Sequence, residues 1–164
     1  MTWLKRAARA RRILVGRFLS GKTEVKVLLA VDGSVYTKRM LSFLAARDGF
    51  LGPNHDFTVI HGVPAVSHRA AAFVGKSVVR QFHESEAERV FKPIRSFLRQ
   101  QGIEAKFVYR VGHAAEAISR FAEEGRFDLV AMGSRGRSNI VNLLLGSVAL
   151  KVLARCSVPV LLIR

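Results

Sequence analysis

The chain alternates between two kinds of segment. Short apolar runs of strand length are separated by longer stretches whose apolar residues recur at helical spacing. Val25-Lys-Val-Leu-Leu-Ala-Val31 is β-branched and nearly all apolar, and Asp32-Gly-Ser34 closes it with turn residues. Thr37 to Arg47 places Met40, Leu41, Leu44 and Ala45 on one helical face. Phe57 to His61 predicts a second strand, running on to Gly62 and Val63. Residues 64–77 read as a loop with at most a short helical turn. A long helix is predicted from Val78 to Gln101, with Val90, Ile94, Phe97 and Leu98 on its apolar face. Pro93 should kink that helix or mark a new start, because proline lacks the N–H and clashes with the preceding turn. Ala105–Val111, Phe127–Met132 and Val158–Ile163 predict three more strands. Ala114–Glu124 and Gly146–Ala154 predict two more helices.

Strands alternating with helices imply an α/β fold: an open five-stranded sheet, mostly parallel, with helices on both faces. In such sheets ligands bind outside the carboxyl ends of the strands, where the strand order reverses. Asp32 follows the first strand and Gly133 follows the fourth, so both are expected to face one crevice.

The length of 164 residues suits one domain, and no apolar run approaches the ~20 residues that cross a bilayer. Cys156 is the only cysteine and reads as a small packing residue in a reducing, cytoplasmic setting. The net charge of +15 attracts polyanions without choosing among them. It is densest in residues 1–24, where seven basic residues face Glu24 alone. As a helix, this segment would put Trp3, Leu4, Leu14 and Phe18 on one face and Lys5, Arg6, Arg9 and Arg12 on the other. Residues 1–24 therefore read as a basic amphipathic extension ahead of a domain at 25–164, either a docking element for an anionic membrane surface or a protein partner, or else a solvated arm or a helix packed on its own domain. Nucleic acid is a weaker expectation, since the domain's basic residues are not interleaved with aromatic ones.

The most informative stretch runs from Met132 to Val148. Gly133 and Gly136 follow a strand with two residues between them, and Gly146-Ser147 opens a helix after nine more. Glycine lets the backbone approach a polyphosphate closely. Free N–H groups at a helix start suit anions, and Arg135 and Arg137 add positive charge. The histidines His55, His68, His83 and His113 show no metal-ligand spacing, and no protein-held metal is expected. There is no Gly-x-Ser-x-Gly elbow. With no committed general base, no enzyme is assigned, although slow ATP hydrolysis is compatible with the motif.

The spacing Gly-x2-Gly-x9-Gly-Ser resembles the nucleotide-binding motif of ATP-binding universal stress proteins. The flanks Asp128 to Gly136 and Leu144 to Ala149 are similar to that family too, as are Leu28 to Ser34 and the closing Val158 to Arg164. The resemblance implies strand order 3-2-1-4-5 (the adenine nucleotide alpha-hydrolase-like arrangement) and a homodimer through the last strand. It implies a stress-response regulator or sensor that binds ATP, with Mg or Mn carried on the phosphates. Asp32 would contact the adenosine part, and the backbone at Gly62 would border the adenine. Met132, Gly133, Arg135 and Gly136 would line the ribose and first phosphates; Gly146, Ser147 and Val148 would hold the outer ones. Family members usually carry valine where this chain has Gly62. For His61, a structural role satisfied by a neighbour is the preferred reading.

Overall fold

The computed structural model describes residues 25–46, 55–137 and 145–164. The expected extension at 1–24 lies outside them. Five parallel strands form one sheet: β1 (Lys26–Ala30), β2 (Asp56–Val63), β3 (Ala105–Val111), β4 (Leu129–Gly133) and β5 (Val160–Ile163). Their order is β3-β2-β1-β4-β5, as the resemblance implied. The described helices are α1 (Val35–Ala45), α2 (His68–Val74), α3 (Lys76–Gln100), α4 (Ala114–Glu124) and α5 (Ser147–Arg155).

The period of two along β1 divides the core. Val27, Leu29 and Val31 join Met40, Leu41 and Leu44 of α1 and Ala87, Val90, Phe91, Ile94 and Leu98 of α3 on one face. Leu28 and Ala30 point the other way, into a cluster with Ala115, Ile118 and Ala122 of α4 and Ala149 and Val152 of α5. Leu28 and Leu29 are both fully buried, so β1 is covered on both faces. Each such leucine is worth roughly 1.5–3 kcal/mol relative to an exposed one. The chain adds strands outward from β1 to β3, then crosses back to place β4 on the other side of β1. The reversal falls between β1 and β4.

Two expectations change. Residues 64–77 hold a complete helix, α2, whose N-cap Ser67 accepts from Ala70 N–H at 3.3 Å. The sequence hides it because none of its residues is buried, so no apolar period marks it. The long helix also does not restart at Pro93; α3 is one element from Lys76 to Gln100. Pro93 and Arg89 are both exposed, so water can satisfy the Arg89 carbonyl that the missing N–H leaves unpaired. Cys156 packs against the α4–α5 cluster, and burial pushes its thiol pKa up, away from the reactive thiolate.

Candidate functional site

A crevice of about 250 Å3 opens at the carboxyl ends of β1, β2 and β4. Every residue expected to bind ligand lines it: Asp32 and Gly62, then Met132, Gly133, Arg135 and Gly136, then Gly146, Ser147 and Val148. Ala30, Val31 and Ile118 give it an apolar floor.

Asp32 stands immediately beyond β1 and is held by the turn that starts α1. Its Oδ1 accepts from Ser34 N–H at 3.0 Å and from the Thr37 hydroxyl at 2.8 Å. Its own N–H donates to Thr37 Oγ1 at 3.1 Å. Ser34 caps α1 by accepting from Thr37 N–H at 3.4 Å. The turn role and a ligand role are therefore compatible, because only Oδ1 is used in the turn. The other oxygen faces the glycine loop: a Cβ on Gly136 would stand 2.6 Å from Asp32 Oδ2. Thr37 is 3 % exposed and fixes the carboxylate from below. Its signal, a threonine three residues after a Ser N-cap, was present in the sequence.

The loop after β4 is drawn tight. Ser134 N–H extends the ladder to Ile163 O at 2.7 Å, and Ser134 O accepts from Gly146 N–H at 2.8 Å. That second bond brings the two ends of the glycine segment together. A Cβ on Gly133 would meet Tyr36 Cβ at 2.7 Å, and one on Gly146 would meet Arg135 Cα at 3.2 Å. The Arg135 guanidinium turns to Tyr36, with Nη1 donating to its hydroxyl at 3.3 Å. Among the described residues, Arg135 Nε and Ser134 Oγ are both buried without a hydrogen-bond partner. Tyr36 carried no signal in the sequence; it earns its place only through the fold.

Gly146 is the N-cap of α5 and supplies no side-chain cap. The N–H groups of Ser147, Val148 and Ala149 have no acceptor within the helix, as at any helix start. All three residues line the crevice, so the positive end of the α5 dipole opens on it. On the opposite wall, His61 Nδ1–H donates to Val31 O at 2.7 Å, as a structural histidine would. Burial, and more weakly the charge of Arg137, hold its pKa below 6.5 against that bond, so the ring is neutral near pH 7. Gly62 answers a packing demand: a Cβ there would lie 2.6 Å from Ala114 Cβ and 2.7 Å from Ala114 Cα. The start of α4 thus occupies the space a larger residue would need.

Together these groups can take an apolar ring against the floor, hydroxyls at Asp32, and anionic oxygens at the start of α5. Among the described residues, no three His, Cys, Asp or Glu side chains are grouped to hold a metal ion. No described helix is long and apolar enough to cross a membrane.

Residues 25–164 match the sequence model of the universal stress protein family. Universal stress protein Slr1230 of Synechocystis is 35% identical over 87% of this chain, which spans 44% of that relative's length. Among solved structures, universal stress protein UspA from Lactobacillus plantarum superposes with a TM-score of 0.70 at 17% identity, over 85% of this chain and 97% of that one. The universal stress protein from Archaeoglobus fulgidus in complex with dAMP gives a TM-score of 0.59 at 23% identity, over 85% and 98%.

Proposed function

The chain belongs to the universal stress protein family, and we propose that it binds ATP in the β1–β4 crevice and acts as a nucleotide-dependent regulator or sensor of stress. One observation carries the reading. The uncapped start of α5 opens on the crevice, beside a loop that Gly133, Gly136 and Gly146 allow to close against Tyr36, Asp32 and Arg135. Turn geometry does not require glycine at these places, since none of the three has a positive φ. Unpaired N–H groups at a helix start, reached over a closely folded glycine loop, suit a polyphosphate.

In this reading the floor takes the adenine and Asp32 Oδ2 accepts from the ribose. The N–H groups of Ser147 and Val148 hold the outer phosphates, which carry Mg or Mn. The crevice is smaller than the roughly 300–1,000 Å3 that encloses a drug-sized ligand, so the phosphates would lie at its rim. Ser134 Oγ and Arg135 Nε, buried with no partner among the described residues, are polar atoms that a bound nucleotide and its water could satisfy. A relative of the same fold is known with dAMP, which fits an adenine-nucleotide site.

The decisive experiment is mass spectrometry of nucleotide released from the purified protein, followed by calorimetry with ATP, AMP and Mg. Tight binding of ATP with metal is expected; no binding of any adenine nucleotide at millimolar concentration ends the reading. A homodimer through β5 belongs to the same proposal. Among the described residues this strand pairs only with β4 and forms a sheet edge, which is a pairing site. Leu161→Lys should then lower the dimer fraction in analytical ultracentrifugation.

A further inference from the structure

The inward stripe of α3 outlasts the core it packs on. Ala87, Val90, Ile94 and Leu98 recur three or four residues apart and are buried against the sheet. Carried back toward the start of the helix, the same spacing passes through His83, Arg80 and Lys76. The inward face thus turns from apolar to basic over its first two turns. α2 packs against this end of α3, and together they form the α2–α3 tip, where Phe73 is 90% exposed. Between the tip and β3 lies a cleft of about 280 Å3, lined by Ala71 of α2, by Lys76, Val79, Arg80 and His83 of α3, and by Tyr109 of β3. It shares no lining residue with the nucleotide crevice.

The cleft is built for an anion. His83 is 8% exposed, and its Nε2 is buried with no hydrogen-bond partner among the described residues. A buried polar group left unpaired is costly. Lys76 stands in the first turn of α3, where the helix dipole is already positive, and neither an acidic residue nor a side-chain cap offsets it. No lining residue is acidic. Of the nearby carboxylates, Glu86 is taken up by Arg89 at 2.8 Å. Glu84 approaches Arg80 only at 3.9 Å, with both side chains more than half exposed, so water screens that pair. Two cations, an imidazole and a phenol match the several acceptor oxygens of a phosphate better than the two of a carboxylate. Ala71, Val79 and the Tyr109 ring add an apolar wall, and the cleft has room for more than a bare ion.

We propose that this cleft is a second ligand site, taking a small molecule that carries a phosphate monoester. Lys76 and Arg80 pair with the phosphate, His83 gains from it the partner it lacks, and Val79 and Tyr109 pack the carbon part. Tyr109 stands beside His61 in the β2–β3 register, and His61 lines the nucleotide crevice, so the two sites lie one strand apart.

The test uses the full chain, isotope-labelled, with phenyl phosphate as the probe. The imidazole resonances are followed by NMR, and His83→Gln assigns the one that matters. The His83 signal should shift saturably, with excess ATP present as well as absent. Lys76→Gln and Arg80→Gln change exposed side chains, so each should weaken binding about fivefold with an unchanged circular dichroism spectrum. Benzoate should bind about tenfold more weakly than phenyl phosphate. A His83 signal that phenyl phosphate leaves in place overturns the proposal, as does unchanged affinity in the Lys76→Gln, Arg80→Gln double variant. So does a shift that excess ATP abolishes, because the two ligands then compete for one site. Inorganic phosphate binding as tightly as phenyl phosphate would identify a bare-ion site and overturn it. A phosphoserine peptide that binds far more tightly than free phosphoserine would make a protein partner the occupant and overturn it equally.

Discussion

Two surfaces beyond the carboxyl ends of the strands are built in opposite ways. In the crevice, glycines stand where a single added carbon would collide: 2.6 Å from Ala114 Cβ at Gly62, 2.7 Å from Tyr36 Cβ at Gly133 and 2.6 Å from Asp32 Oδ2 at Gly136. At the α2–α3 tip, an aromatic side chain meets almost nothing, and a Cβ on Gly75 would find no atom within 4 Å. The first surface is specified by exclusion, since its shape depends on what is not there. The second is specified by projection. A substitution in the crevice should therefore act through geometry, and one at the tip through its effect on whatever it touches. The experiments below press on that distinction.

The largest effect is expected at Gly136. Gly136→Val would push a branched side chain against Asp32 Oδ2, the oxygen not used by the α1 turn. Since Oδ1 remains bonded to Thr37 and Ser34, the fold should survive while the crevice closes. ATP affinity is expected to fall at least a hundredfold in calorimetry, with a thermal midpoint within a few degrees of wild type. Unchanged affinity would show that the glycine loop does not face the ligand.

Gly62→Val, which installs the residue usual in the family, should act on stability instead. The new side chain meets the start of α4, where both Cβ and Cα of Ala114 are in the way. Overpacking of this kind costs about 1–3 kcal/mol, readable as a shift in the urea midpoint. Ala114→Gly in the same chain should recover only part of the loss, because the Ala114 backbone would still stand 2.7 Å from the new Cβ. Full recovery would mean that α4 moves readily, and that the crowding of this wall is soft.

A smaller effect is expected from Thr37→Val. It keeps the shape and removes the hydroxyl that bonds Asp32 Oδ1 and accepts from Asp32 N–H. Loss of this buried bonding should cost about 1–3 kcal/mol. ATP affinity should fall about tenfold as Asp32 loses its fixed orientation. If stability falls and affinity does not, Asp32 belongs to the turn alone.

How much of this was legible follows from the same contrast. The strands of the sheet and their order, the crevice residues and the role of His61 could be read because they depend on apolar periods, turn residues and a recognisable spacing. Ala114 and Ile118 could not, since each reaches the crevice from α4 and its residue type is ordinary; Tyr36 could not either, since it only packs behind Gly133 and Arg135. The α2 helix was illegible for a different reason. A helix that buries nothing leaves no amphipathic period, and Ser67 is a cap that many loops also contain. At Pro93 the sequence left two outcomes open, a kink or a new start, and the helix shows no new start there.

The smallest effect should come from pH, and it probes the crevice wall without changing its shape. Burial lowers the His61 pKa in the fold, more strongly than the bond to Val31 O raises it. Above pH 6.5 the ring is neutral in the folded and unfolded chains alike, so His61 adds no pH dependence there. As pH falls below 6.5, the unfolded chain takes up the proton first. Stability then declines with falling pH until the folded-state pKa is also passed. The slope is positive in pH and confined to that window. Urea unfolding of wild type and His61→Gln across it separates this contribution from those of other groups, because the glutamine variant can still donate to Val31 O but cannot titrate. The variant should show a flatter stability profile below pH 6.5 and an unchanged one above. Parallel profiles would mean that His61 takes up its proton in the folded crevice as readily as in the open chain, so that this wall is no more closed to water than the α2–α3 tip.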